Sequence, residues 1–251
     1  MSIFTKYQKC SAVMLSSMVV LTVPVICHAN TSNHINKYEV RLGANRLVFI
    51  TGTPGSAIAV SNPQPFPVII QSRVFSEMQE KDHAFVITPP VFRLDAGQST
   101  RLTLIPETDA FPSDRESLRW LCVKAVPPVN TTAEHKAGSE QSSLDLNVSL
   151  NNCIKLLTRP VSLSAPGKST WTSVTWAVDH GVLHGINNTP YYISFSTVTA
   201  AGQNLDHPGY LSPFTTRSFS LKHAPGKGQN VTWSTIGDLG EKSEVFASRI
   251  Q

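Results

Sequence analysis

The sequence predicts an all-β chain built as two successive β-sandwiches, and three observations carry that reading. From residue 30 onward the chain is a string of short β-type runs separated by clusters of Pro, Gly, Asn and Ser. No stretch holds helical periodicity for three turns. About 220 residues of such strands exceed the size at which single domains peak, so two sandwiches hold them better than one. Arg159-Pro160 is the natural boundary, because proline cannot continue a central ladder. The expected units are residues 30–159 and 160–251.

Residues 1–29 precede both units and read as a secretory signal peptide. Lys6 and Lys9 stand ahead of an apolar run from Ala12 to about Val25, followed by the small-residue pattern at Cys27-His28-Ala29. The run is too short for a spanning helix. Bulky Ile26 before Cys27 argues against a lipid anchor there, so cleavage is expected after Ala29 and the mature chain is expected to be exported. Removing Lys6 and Lys9, and no acidic residue, lowers the formal charge from +4 to +2, which gives no electrostatic ground for a nucleic-acid partner. Cys10 and Cys27 leave with the signal. The remaining pair, Cys122 and Cys153, has one possible connectivity in an oxidising compartment and is expected to be a disulfide.

The expected strands of the first unit are KYEVRL, RLVFIT, AIAVSN, PVIIQSRVF, HAFVIT, STRLTLI and SLRWLCVKAV. The segment Asn30 to Lys37 has little apolar content and so gives weak support for a long first strand there. VNTTAEHKAGSEQSS, residues 129–143, is polar and aperiodic and reads as a long hairpin loop, either functional or a disposable insertion. After it comes LDLNVSLNNCIKLLTRP, residues 144–160. Its even positions Leu144, Leu146, Val148, Leu150, Ile154 and Leu156 share one face of a pleated strand, and only Asn152 breaks the row. The second unit offers TWTSVTWAV, GVLHGI, YYISFSTV, TTRSFSLK, NVTWSTI and SEVFAS.

Enzymatic signatures are missing. PGKST, residues 166–170, imitates the end of a phosphate-binding loop, but Ser162 stands where its first glycine belongs and the residues that follow are β-prone, so no nucleotide is expected. His180 and His184 lie four apart on a hairpin pattern, on one strand face, without the helical register or glutamate of a zinc protease. No Gly-x-Ser-x-Gly elbow is present and no carboxylate pair suits glycoside hydrolysis. Neither cofactor nor metal is expected.

Six phrases, in this order, resemble a known family: NRLVFITG, FVITPPVFRLDAGQSTRLTLI, DRESLRWLCVKAVPP, CIKLLTRP, NNTPYYISF and YLSPFTTRSFSL. They are similar to the periplasmic chaperones of the chaperone-usher pathway, the PapD-like family, which assemble fimbriae and related surface fibres. The resemblance implies two immunoglobulin-like sandwiches at an angle with a cleft between them. It implies that Leu144, Leu146, Val148 and Leu150 form a donor row that temporarily completes an incomplete fibre subunit. Arg46 and Lys155 match the pair that grips the subunit's C-terminal carboxylate, and Glu116, Arg159 and Asp238 match an interdomain ion-pair cluster. The partners so implied are fimbrial or fibrillar subunits and an outer-membrane usher, with self-association through the donor strand open to the free protein. Cys122 with Cys153, and the long 129–143 loop, resemble the long-loop disulfide-containing subgroup. The competing class is an exported two-domain adhesin or surface structural protein, which would have no use for Arg46 combined with Lys155.

Overall fold

A computed structural model describes residues 32–126 and 143–251. The expected signal peptide and almost all of the expected 129–143 loop lie outside the described residues.

The first unit contains β1 (Ser32–Tyr38), β2 (Arg41–Leu42), β3 (Arg46–Ile50), β4 (Ser56–Ser61), β5 (Val68–Ser76), β6 (Phe85–Thr88), β7 (Val91–Leu94), β8 (Ser99–Pro106), β9 (Ser117–Val126), β10 (Ser143–Ser149) and β11 (Asn151–Arg159). One sheet runs β3-β11-β9-β5-β7 and a second runs β2-β4-β8-β6. Alternation decides which side chains meet between them. Val68, Ile70 and Val74 of β5 and Leu102 and Leu104 of β8 point inward and pack with Phe49, Leu121 and Leu156 in one core. A separate two-stranded ribbon, β1 with β10, is parallel and shares no strand with either sheet.

The second unit begins with a short helix, α1 (Lys168–Thr172), followed by β12 (Thr175–Asp179), β13 (Val182–Asn187), β14 (Ile193–Ala200), β15 (Gln203–Asn204), β16 (Tyr210–Leu211), β17 (Thr215–Phe219), β18 (Asn230–Thr235) and β19 (Phe246–Arg249). Strands β12-β13-β17 face a sheet of β15-β14-β18-β19 with β16 on β14. The core between them is centred on Trp176 and Trp233 and has no member in common with the first core. Each unit therefore owns a hydrophobic interior, as the chain length suggests.

Four expectations need correcting. Asn30 to Lys37 gave weak support for a long first strand, yet β1 occupies Ser32–Tyr38 and pairs along its length with β10, with Ile35 exposed and Tyr38 buried in the first core. KYEVRL divides into the end of β1 and the short β2. TWTSVTWAV starts as helix α1, where Thr172 Oγ1 donates to the Lys168 carbonyl at 3.0 Å and Ser173 Oγ to the Ser169 carbonyl at 2.7 Å. The last three residues of PGKST and the following Trp171 and Thr172 thus form one helical turn, and Lys168 is engaged with Glu244 at 2.6 Å. Finally, His180 sits in the β12–β13 turn with φ 47° beside Gly181 at φ 78°, so it does not share a strand face with His184 on β13. Paired positive φ values fit the primed two-residue turn of a tight hairpin. Among the described residues no cluster of His, Cys, Asp or Glu could hold a metal ion.

Candidate functional site

Strand β11 lies parallel to β3 and antiparallel to β9, in a register that sets Lys155 opposite Arg46 on one side and Trp120 on the other. Directly opposed residues of a parallel pair project to the same face, so the register brings two cations together. Both are taken out of water. Arg46 is 7% exposed, and its Nη1 donates to the Ile236 carbonyl at 3.0 Å and its Nε to Asn45 Oδ1 at 3.3 Å. Half-buried Lys155 donates from Nζ to Ser194 Oγ at 2.7 Å and stands 4.4 Å from the centroid of the Tyr210 ring. Burial lowers the Lys155 ammonium from its ordinary 10.5 to about 7, with the Arg46 charge adding to the drop and Glu77 opposing it. Burial also lowers the Arg46 guanidinium. Among the described residues neither cation has a carboxylate within ion-pair distance. Two adjacent, desolvated and unpaired cations make a site that an anion would relieve.

The turn after β18 supports Arg46. Asn45 Nδ2 donates to the Gly240 carbonyl at 3.4 Å, and Gly240 has φ 84°, where a Cβ would collide with the Asn45 side chain. The same turn carries Asp238 to Arg159. Arg159 Nε donates to Glu116 Oε1 at 2.7 Å, while Nη1 and Nη2 donate to the two oxygens of Asp238 at 2.7 and 2.8 Å. Glu116 Oε2 accepts the Tyr192 backbone N–H at 2.8 Å, so the three expected interdomain residues do meet, in one connected network. Burial raises the Glu116 carboxyl above its usual range, against the pull of Arg159.

Sequence reasoning missed a second interdomain cluster. Glu77, just past β5, accepts from Tyr192 Oη at 2.9 Å, Tyr210 Oη at 3.0 Å and Ser212 Oγ at 3.3 Å. In sequence Glu77 stands beside Met78, Gln79, Glu80 and Lys81 and reads as a solvated charge. The one available signal was the second tyrosine of TPYY.

The other end of β11 continues into β10, and here the alternating row divides. Ile154 and Leu156 belong to the first core. Asn152, the break in the row, donates its side-chain amide to the Val40 carbonyl between β1 and β2. Leu150 is half-buried at the strand junction, its N–H bonded to the Tyr38 carbonyl at 2.9 Å. Val148 and Leu146 are 41% and 45% exposed, and Ile35 of β1, opposite Leu146, is 67% exposed. Leu144 is placed on β10 opposite Asn33, and its side chain lies outside the described ones. Among the described residues strand β10 pairs only with β1, which leaves its second edge open to them. Cys122 and Cys153, register partners on β9 and β11, are joined by a disulfide where the segment enters the sheet.

Residues 39–164 match the family described as pili and flagellar-assembly chaperone, PapD N-terminal domain, and residues 166–247 match pili assembly chaperone PapD, C-terminal domain. The chaperone protein AggD of Escherichia coli is 33% identical over 237 residues, which cover 91% of this chain and 93% of AggD. Among solved structures, the E. coli chaperone DraB is 35% identical with a TM-score of 0.75, covering 88% of this chain and all of DraB. The SafB chaperone of Salmonella enterica, solved in complex with the SafA pilin, is 32% identical with a TM-score of 0.77, covering 87% of this chain and 99% of the matched one.

Proposed function

The chain belongs to the PapD family of pilus-assembly chaperones, and from that premise we propose that it holds pilus subunits by lending them the open edge of β10 while Arg46 and Lys155 grip the subunit's C-terminal carboxylate. One observation carries the proposal: among the described residues, the continuous segment β10–β11 has exposed apolar residues beside an open strand edge at one end and, at the other, Lys155 set opposite Arg46 of β3, both desolvated and without a carboxylate partner. An added strand gains main-chain hydrogen bonds along β10, and Leu146, Val148 and Leu144 fill the groove of a subunit that lacks a strand. The carboxylate site then sets the register, and a one-residue slip would turn every apolar side chain to the wrong face. SafB, seen with a pilin, supports this use of the fold.

In this reading Glu116, Arg159 and Asp238 fix the relation of the two units, residues 30–159 and 160–251, and so shape the cleft. Residues 1–29 direct export to the periplasm, with cleavage near Ala29, and an outer-membrane usher receives the loaded chaperone. No catalytic step, nucleotide or cofactor is involved, because the incompletely packed bound subunit retains the energy for assembly. The disulfide agrees with the long-loop subgroup. A surface adhesin fits less well, since a paired cation site beside an open strand edge has no evident part in it. Co-expression with the fibre subunit, followed by size exclusion, tests the proposal through a co-eluting complex that is lost with the cation site.

Two expected outcomes follow from the edge and the site. Leu146→Asn and Val148→Asn should each shift the free protein's stability by no more than about 0.5 kcal/mol, as for other surface changes. Recovery of bound subunit should nevertheless fall sharply. Leu156→Ala, in the core of the same row, should cost about 2 to 5 kcal/mol. Thermal melts alongside co-purification yields separate the two classes. If both edge variants melt far below wild type and bind normally once folded, the row is core and the donor role fails.

The second outcome concerns pH. A bound carboxylate favours the charged form of Lys155, whose free-state value is about 7. Above that value the amine must take up a proton on binding. Affinity should therefore be flat below about pH 7 and fall by up to roughly tenfold per unit above it, until the bound-state pKa is reached. Calorimetric titration with subunit between pH 6 and 9 measures this slope, with Lys155→Arg as the variant in which it disappears.

A further inference from the structure

We propose that Glu77 is a positioning residue for the anion site: three hydroxyls of the second unit hold its carboxylate, and that clamp both fixes the Tyr210 ring against Lys155 and keeps Glu77 from occupying the ammonium itself. The inference rests on the reading of Lys155 as part of a carboxylate anchor and goes beyond it.

The geometry gives the reasons. Glu77 comes from the first unit, and its oxygens accept from Tyr192, Tyr210 and Ser212 of the second. Tyr210 faces both groups: its hydroxyl is on Glu77, and its ring centroid is 4.4 Å from Lys155 Nζ. The ring thus lies beside the cation while its polar tip is tied to the nearby acid. Burial and the Glu77 charge push the Tyr210 phenol up to about 12 and the Tyr192 phenol upward too, so both stay protonated donors. A carboxylate already accepting three hydroxyl bonds loses them if it turns toward a new partner. Lys155 meanwhile spends one donor on Ser194 and keeps the others for an incoming anion. The groups acting on Lys155 are Arg46 from β3, Glu77 beyond β5, Ser194 from β14, Tyr210 from β16 and Arg217 from β17; Arg46 and Arg217 favour deprotonation and Glu77 opposes it.

Two substitutions should therefore move Lys155 in opposite directions. Glu77→Gln keeps an acceptor for the hydroxyls and removes the charge. Tyr192→Phe with Tyr210→Phe keeps the charge and frees the carboxylate to pair with Lys155. The test uses the mature chain with 13C-labelled lysine, follows the Lys155 side-chain resonance through a pH titration, and repeats it with acetate as the carboxylate probe. Glu77→Gln should lower the Lys155 midpoint by about half to one pH unit. The double variant should raise it and weaken the acetate response at least tenfold, with a matching loss in capture of co-expressed subunit. Should the double variant fail to fold, Tyr210→Phe alone carries the test, because Tyr192 and Ser212 still bridge the units. A role limited to joining the units would change melting and leave the midpoint where it is, and that result overturns the inference. If acetate leaves Lys155 unaffected in the wild type, and Lys155→Ala and Arg46→Ala still capture subunit, the anchor reading itself has failed, whatever Glu77 does.

Discussion

Lys155→Ala should eliminate stable subunit capture and leave the free protein at least as heat-stable as the wild type. The two halves of that result have one cause. The ammonium is buried beside Arg46 with no carboxylate partner among the described residues, so the free protein carries an uncompensated charge. Its folded-state pKa, about 7, lies below the ordinary 10.5 of the unfolded chain. Between those values the unfolded chain binds more protons, so this group's destabilising effect is fully present below pH 7 and fades as pH rises to 10.5. Alanine removes the effect, and the gain in melting temperature should be larger at pH 6 than at pH 9. In the complex the same charge faces a carboxylate. Losing one member of a desolvated charge pair typically costs about 2 to 5 kcal/mol, or roughly thirty- to several-thousand-fold in affinity. Arg46→Ala should lose capture to a similar degree and some stability as well, because its guanidinium also satisfies the Ile236 carbonyl. Scanning calorimetry of free variants, with pull-down of co-expressed subunit, checks both. Wild-type recovery by both variants would move the anchor elsewhere.

The largest loss of stability is expected from Arg159→Ala. Arg159 and Glu116 are each 2% exposed, and Arg159 alone bridges Glu116 to Asp238. Removing it leaves Glu116 as a buried carboxylate whose remaining support is the Tyr192 amide. Breaking a buried pair in this way costs about 3 to 5 kcal/mol, far more than the net value of the intact pair. The pH dependence gives a second signature. Glu116 already has a raised folded-state pKa, and losing Arg159 raises it further. A carboxyl raised above its unfolded value penalises folding once pH exceeds the unfolded value, so the deficit should shrink as pH drops toward 5. Melting curves from pH 5 to 8 for Arg159→Ala and wild type measure it. A deficit below about 1 kcal/mol, constant with pH, would mean that the network contributes little to holding the units together.

The two-sandwich architecture was legible because it rests on local signals: period-two runs, turn residues and Arg159-Pro160 at the end of β11. The fate of an alternating row was less so. Leu146 and Leu156 occupy equivalent positions of one pattern, yet one is exposed and the other buried, since burial depends on whether a second sheet covers that stretch. Arg46 and Lys155 could be paired only through resemblance, as their meeting depends on a parallel register between segments over a hundred residues apart. Glu77 itself carried no local signal for a related reason: all three of its hydroxyl donors come from the other unit, and only the second tyrosine of TPYY hinted at the cluster. Helix α1 was misjudged because Trp and Thr favour strands by propensity, whereas Trp171 is held by a bond from Trp233 Nε1 to its carbonyl at 3.1 Å.

The β1–β10 ribbon bears on who completes whom. Two strands are marginal on their own in water, and three with an apolar face reach independent stability. A subunit strand laid along the open side of β10 would supply that third strand. Complementation is then reciprocal: the partner gains a missing edge, and the ribbon becomes a sheet. By linkage, whatever the ribbon gains in order on binding is returned as tighter retention of the partner, and a change that loosens β1 weakens the complex without touching the subunit.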